Sequence, residues 1–330
     1  MSLKKDINYS IWCDFVERSF LEEDFKKLID KQIIYGATSN PSIFAQSIAK
    51  SSAYTQQISM LQNNEAKKIY EELAITDIKT AADNLKSLYD NDTDDGFISI
   101  EVDPTLCDDM MGTIEEGARL YSQINYDNVM IKVPATSAGY GAMRELTSMG
   151  ININATLIFS PTQAKECAKA LDEGIKKSGK NTKGVVSVFV SRFDRALDSK
   201  LTLMGLKTSK LGIINATKCY HEVNSIKNKN IRTLFASTGV KGDDLPKSYY
   251  IDNLIYPNSV NTAPLDTIKI YQEKGIKQLS KIPTLQECDE YINILKNKNI
   301  DIDALYNKLL KDGLDAFKVS FKELLNSLKN

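Results

Sequence analysis

The sequence is poor in the residues that most catalytic schemes use. Its 330 residues include one histidine, His221. That scarcity excludes serine-histidine triads, multi-histidine zinc sites and most histidine acid/base schemes. The five cysteines (Cys13, Cys107, Cys167, Cys219, Cys288) are scattered and odd in number. They form no CxxC pair and no zinc spacing, which reads as reduced cytosolic thiols. No apolar run reaches transmembrane length, and the polar start Met1-Ser-Leu-Lys-Lys-Asp6 is no signal peptide. Neither sign of charge is in excess, with 42 basic against 43 acidic residues. No basic stripe asks for nucleic acid, and no cationic amphipathic segment asks for a membrane surface. Catalysis here must run on carboxylates, lysine, hydroxyls and amides.

What is present reads as an α/β chain. With 42% hydrophobic residues it can bury a large core, and barrels of this length form one unit. Short apolar runs at 11–15, 33–36, 97–102, 129–133, 151–158, 185–190, 232–236 and 249–254 predict eight strands. Helical patterns separate them, as in 162–176, where Ala164, Cys167, Ala168, Leu171 and Ile175 follow the Ser160-Pro161 start signal. Eight alternating strands and helices imply parallel pairing, right-handed crossovers and a closed (β/α)8 TIM barrel. A doubly wound open sheet would want a GxGxxG turn after the first strand, and Asp14-Phe-Val-Glu-Arg18 has none. The turns Ser178-Gly-Lys-Asn-Thr-Lys-Gly184, Lys227-Asn-Lys-Asn230 and Asn91-Asp-Thr-Asp-Asp-Gly96 read as solvated loops. Residues 1–330 are expected to form one domain, with 301–330 as one C-terminal packing helix or two broken near Gly313.

The organising stretch is Asn128-Val-Met-Ile-Lys-Val-Pro-Ala-Thr136, a short apolar strand with Lys132 in its middle. An ammonium buried there costs several kcal/mol unless it is paired or loses its proton. A lone lysine in such a strand usually snorkels to water. The alternative is a neutral amine that attacks a carbonyl. Neighbouring strand ends favour the second reading. Side chains alternate across a strand, so Ser99, Glu101 and Asp103 share a face, as do Asn152, Asn154 and Thr156. Asp14 ends the first strand and Asn40 follows the second. Alone, Asp14 or Asn40 is more often a helix cap, and Asn154 or Thr156 an interior hydrogen bonder. Two carboxylates and an amine at one barrel mouth, without a metal motif, make a proton-transfer set. Such a set supports imine formation with a ketone and cleavage of the adjacent C–C bond. Glu101 and Asp14 can divide the proton transfers if their environments separate their pKa values.

Later loops supply candidates for anion recognition. They are Ser187, Phe189 and Arg192 in Val186-Ser-Val-Phe-Val-Ser-Arg192, then Ser237 and Lys241 in Ser237-Thr-Gly-Val-Lys241. Arg192 taken alone could equally pair with Asp194 or Asp198, and Lys241 alone is more often solvated. Neither tract resembles a Walker loop.

With these residues assembled, the chain resembles the transaldolases. The resemblance is carried by Ala37-Thr-Ser-Asn-Pro-Ser-Ile43, Ile100-Glu-Val-Asp-Pro104, Val129-Met-Ile-Lys-Val-Pro-Ala135, Gly150-Ile-Asn-Ile-Asn-Ala-Thr-Leu-Ile-Phe-Ser160, Val188-Phe-Val-Ser-Arg192 and Asn258-Ser-Val-Asn-Thr-Ala-Pro264. It implies a cytosolic (β/α)8 barrel that uses neither metal nor organic cofactor, and by family likeness alone a homodimer. It implies transfer of a dihydroxyacetone unit between sugar phosphates in the pentose phosphate pathway. Lys132 would form the Schiff base, with Glu101 as acid/base through a water held by Thr156. Asp14 would take the donor's C4 hydroxyl proton. Asn40 and Asn154 would hold the dihydroxyacetone hydroxyls, and Ser187 with Arg192 the phosphate. Some members carry a second phosphate-binding arginine after an Ala-Ser pair; Ala236-Ser-Thr-Gly-Val-Lys241 offers Lys241 there, as in the longer-chain bacterial-type branch. The other expectations left open are a lysine-dependent aldolase such as a fructose-6-phosphate aldolase, and a barrel that binds sugar phosphates without turning them over.

Overall fold

The strands are short and buried on both faces, because helices cover their outer side and side chains fill the space within. The computed structural model describes residues 2–329. The strands are β1 (Ser10–Cys13), β2 (Ala37–Thr38), β3 (Ile98–Glu101), β4 (Val129–Pro134), β5 (Asn152–Ile158), β6 (Gly184–Phe189), β7 (Ile231–Ala236) and β8 (Ser259–Ala263). Each pairs in parallel with the next, and β8 closes on β1. This is the closed eight-stranded barrel the alternation implied. Helices Ala66–Asn91, Met110–Ile124, Ser137–Ser148, Pro161–Ser178 and Leu211–Ser225 are among those that cover it.

Local chemistry sets the start of these helices. Pro161 opens one, and Ser160 and Gln163 complete its capping box. Gln163 also donates to the Ala135 carbonyl at 3.0 Å, tying this helix start to the segment after β4. Inside the barrel Trp12, Met130, Val185, Leu234 and Val260 pack together. The register sets Glu101 beside Lys132, and Lys132 beside Asn154. After Ala155 the β5–β6 register shifts, and Leu157 takes a left-handed φ of 57°. The bulge turns β5 outward beyond Thr156.

Three expectations need correction. Residues 249–254 are not the eighth strand: Tyr249–Asn253 is a short helix, and β8 is the polar stretch Ser259–Ala263. Run 33–36 lies early, because Gln32 and Ile33 turn out of the preceding helix and the ladder bonds begin at Tyr35. Loops 91–96 and 178–184 are not simply solvated: in the second, Thr182 and Lys183 are buried, and Lys183 donates to Asp94 Oδ1 at 2.7 Å and Asn230 Oδ1 at 2.9 Å. Asp95 is 1% exposed and accepts from Ser10 Oγ at 2.6 Å and Trp12 Nε1 at 2.9 Å. Arg232, also buried, lies 3.3 Å from Asp95 and donates to the carbonyls of Asn8, Asp94 and Ser259. This charged cluster seals the barrel at the N-terminal ends of its strands. The C-terminal segment is one continuous helix, Ile302–Ser327, laid against helix Pro41–Lys50.

Candidate active site

Barrel parity brings the candidates to the C-terminal mouth, around a cavity of about 350 Å³. Asp14, Asn40, Lys132, Asn154, Thr156 and Ser187 line its floor and lower wall. Phe189, Arg192, Ser237 and Lys241 line the cavity as well. Every sequence-derived candidate except Glu101 therefore borders the cavity, and Glu101 stands directly behind Lys132.

Lys132 does not snorkel to water. It is 4% exposed, donates to the Ser39 carbonyl at 2.9 Å and lies 3.4 Å from Glu101 Oε2. That contact is an ion-pair distance without hydrogen-bond geometry, so Glu101 Oε2 has no hydrogen-bond partner among the described residues. Burial raises Glu101 to about 7, against the pull of Lys132, and the Asp14 charge adds to the rise. Asp14 is also raised by burial; Lys132 and a 2.6 Å hydrogen bond from Thr38 Oγ1 work against this. Both acids therefore move upward, and the bond from Thr38 is specific to Asp14.

The amides and hydroxyls form a chain across the floor. Ser187 Oγ donates to Asn154 Oδ1 at 2.6 Å, and Asn154 Nδ2 donates to Ser99 Oγ at 3.0 Å. One N–H of that amide remains for a ligand. This bond sets Ser187 on the floor of the cavity beside Asn154. Asn40 caps helix Pro41–Lys50 by accepting from Ile43 N at 3.0 Å, which leaves its amide donors for the cavity. The cap and the cavity-lining position are held by the same residue. Thr156 Oγ1 is buried without a hydrogen-bond partner among the described residues.

The upper wall is cationic. Arg192 opens helix Ser191–Leu203, and no described carboxylate lies within ion-pair distance of it. Asp194 serves Gly212 N and Tyr250 OH instead, each at 2.9 Å, while Asp198 holds Ser209. Arg192 stacks 5.3 Å from the Phe189 ring, and its pKa is held down by burial and then by Arg195. Ser237 takes a left-handed φ of 56° and its hydroxyl meets that of Ser191 at 3.1 Å. Lys241 is exposed at the rim. Several lining residues escaped the sequence reading, among them Thr38, Thr262, Arg195 and Phe317. Arg195 stands three residues after Arg192, a helical spacing that could have revealed it. Phe317 comes from the C-terminal helix, and nothing local to it signals the cavity.

A closed (β/α)8 barrel with a lysine-centred site at its C-terminal mouth defines a class, the barrel enzymes of carbonyl chemistry. Residues 11–328 match a family model described as Transaldolase/Fructose-6-phosphate aldolase. The transaldolase of Helicobacter pylori (strain Shi470) is 46% identical, covering 97% of this chain and 99% of that one. The transaldolase of Campylobacter jejuni subsp. jejuni serotype O:23/36 (strain 81-176) is 45% identical with the same coverage. A crystal structure of fructose-bisphosphate aldolase from Campylobacter jejuni aligns with a TM-score of 0.43 at 10% identity, over 98% of this chain and 91% of that one, too loosely to bear on function. The chain belongs to the transaldolase/fructose-6-phosphate aldolase family.

Proposed function

We propose that this enzyme is a transaldolase, a transferase that moves a dihydroxyacetone unit between sugar phosphates through a Schiff base on Lys132. The observation that carries the reading is the buried Lys132 amine, 3.4 Å from Glu101 and open to a cavity of about 350 Å³. The amine adds to the C2 carbonyl of a ketose phosphate. Glu101, poised near neutrality, exchanges the protons of carbinolamine formation and dehydration, with Thr156 Oγ1 positioning a water between them. Asp14 takes the C4 hydroxyl proton, the C3–C4 bond breaks, and the aldose phosphate leaves. The enamine that remains on Lys132 then attacks the acceptor aldehyde. This sequence needs no metal or organic cofactor, because the protonated imine is itself the electron sink.

Asn40 and Asn154 hold the hydroxyls of the three-carbon unit, and Ser187 acts with Asn154 there rather than on the phosphate. Arg192 carries the phosphate, with Ser237, Lys241 and Arg195 beside it. The reaction is sedoheptulose 7-phosphate plus glyceraldehyde 3-phosphate to erythrose 4-phosphate plus fructose 6-phosphate, the non-oxidative pentose phosphate step. Among the described residues no helix is long and apolar enough to cross a membrane. We place the enzyme in the cytoplasm as a homodimer of one-domain subunits by likeness to the family, which size-exclusion chromatography with light scattering tests for the dimer.

The family description also includes fructose-6-phosphate aldolases. A coupled assay with and without acceptor aldehyde separates the two. A transferase stalls after one turnover without acceptor; continued release of dihydroxyacetone at the transfer rate would instead make the chain an aldolase.

A further inference from the structure

Most of the groups around the Lys132 amine are polar: Glu101, the Ser39 carbonyl, Asp14, Asn154 and Thr156. Phe317 supplies an apolar wall. Its ring centroid lies 5.8 Å from Nζ, and the residue is 5% exposed although it borders the cavity. The ring comes from helix Ile302–Ser327, which is fixed at several points. Asp301 caps its start, and Tyr306 OH donates to Asn215 Oδ1 at 2.8 Å. Gly313, one turn before Phe317, lets the helix lie against β5: a Cβ there would stand 3.0 Å from Leu157 Cδ2. One turn later Ser320 Oγ accepts from Ser42 Oγ at 2.8 Å, beside the helix that Asn40 caps. The helix thus spans the mouth from β5 to the segment after β2, and Phe317 is held over the amine from both sides.

Resting on the Schiff-base reading above, we propose that Phe317 sets the partition between transfer and hydrolysis by shielding the Lys132 enamine from water. The competing reaction is simple in its balance. The enamine carbon gains a proton, water adds at C2, and the C–N bond breaks to release dihydroxyacetone and the free amine; one water is consumed in all. Transfer uses the same carbon to form a C–C bond with the acceptor. A ring that offers no donor or acceptor denies water a hydrogen-bonded place on that side of the enamine. Its face also favours the cationic imine that precedes the enamine, since the centroid distance is within cation–π range. Phe317 is a specificity-determining residue, distinct from the groups that move protons.

The test compares the wild type, Phe317→Leu and Phe317→Ala with fructose 6-phosphate as donor. Two quantities are read: dihydroxyacetone released without acceptor, and transfer to erythrose-type acceptor aldehydes, each normalised to borohydride-trapped Lys132 adduct. The release-to-transfer ratio is expected to rise on the order of tenfold in Phe317→Ala, about 1.4 kcal/mol of differential barrier, and less in Phe317→Leu. An unchanged ratio in a variant that still forms the adduct overturns the proposal. Should Phe317→Ala lose the adduct, Phe317→Leu decides, because it keeps most of the apolar volume; an unchanged ratio there is equally fatal. Absence of adduct in the wild type would overturn the Schiff-base reading itself, and this proposal with it.

Discussion

At the scale of single residues, the chemistry converges on one amine and the acid behind it. Lys132→Ala is expected to abolish transfer while leaving the fold intact, which circular dichroism and the coupled assay check together. For Glu101→Gln the expectation is imine formation slowed by roughly 10²-fold or more with donor binding retained; a normal imine rate by stopped flow contradicts that role. The same residue makes a signed prediction about pH. Burial raises Glu101 from 4.5 to about 7, so between those values the folded chain holds a proton that the unfolded chain has released. This contribution to stability is full below pH 4.5 and is lost as pH rises through 7. Urea midpoints of the wild type should therefore fall relative to those of Glu101→Gln across that window, and parallel curves would refute the assignment. Residue faces were legible because strand parity is strict: Glu101, Lys132 and Asn154 were placed by counting alone. The hydrogen bond from Ser187 to Asn154 was not, since the two sit on different strands and parity does not say where a hydroxyl's one proton goes.

At the scale of elements, local pattern succeeded where composition and geometry agree and failed where tertiary context overrides. Residues 249–254 are aromatic and β-branched, yet Tyr250 OH and Tyr249 OH reach Asp194 and the Ser209 carbonyl from a short helix. The true β8 is polar: Ser259 Oγ donates to the Tyr256 carbonyl at 2.7 Å, and Asn261 Oδ1 accepts from Thr238 Oγ1 at 2.8 Å. The cationic end of the cavity depends on helix Ser191–Leu203, which carries Arg192 and Arg195 one turn apart. Arg192→Ala should raise KM for phosphorylated donors by about 10–100-fold, in line with about 1.5–3 kcal/mol for a charge-assisted contact, with a smaller effect on kcat. A selective loss of kcat would assign Arg192 elsewhere. Gly313 left one helix or two open in the sequence; the helix is continuous there, and the glycine is the contact that admits β5. Gly313→Val should destabilise by roughly 1–3 kcal/mol through overpacking against Leu157, measured by urea unfolding.

At the scale of the whole molecule, the barrel separates stability from chemistry. Its lower end is closed by Asp95, Arg232 and their partners, its middle by apolar packing, and its upper end is left polar for the substrate. Asp95→Ala leaves Arg232 buried without its carboxylate and should lower stability by about 3–5 kcal/mol. Turnover per folded molecule should persist at permissive temperature, and its loss would tie the lower end to catalysis. Closure was legible in the count of alternating elements. The charged seal was not, because Asp94-Asp95 reads as a turn until β1, β7 and β8 surround it. The account rests on a covalent bond between Lys132 and a keto sugar. Borohydride reduction in the presence of fructose 6-phosphate, followed by peptide mass spectrometry, tests this most directly. The predicted result is a reduced three-carbon or six-carbon adduct on the peptide bearing Lys132 and absent from Lys132→Ala; an unmodified Lys132 after reduction, or an adduct on another lysine, would contradict it.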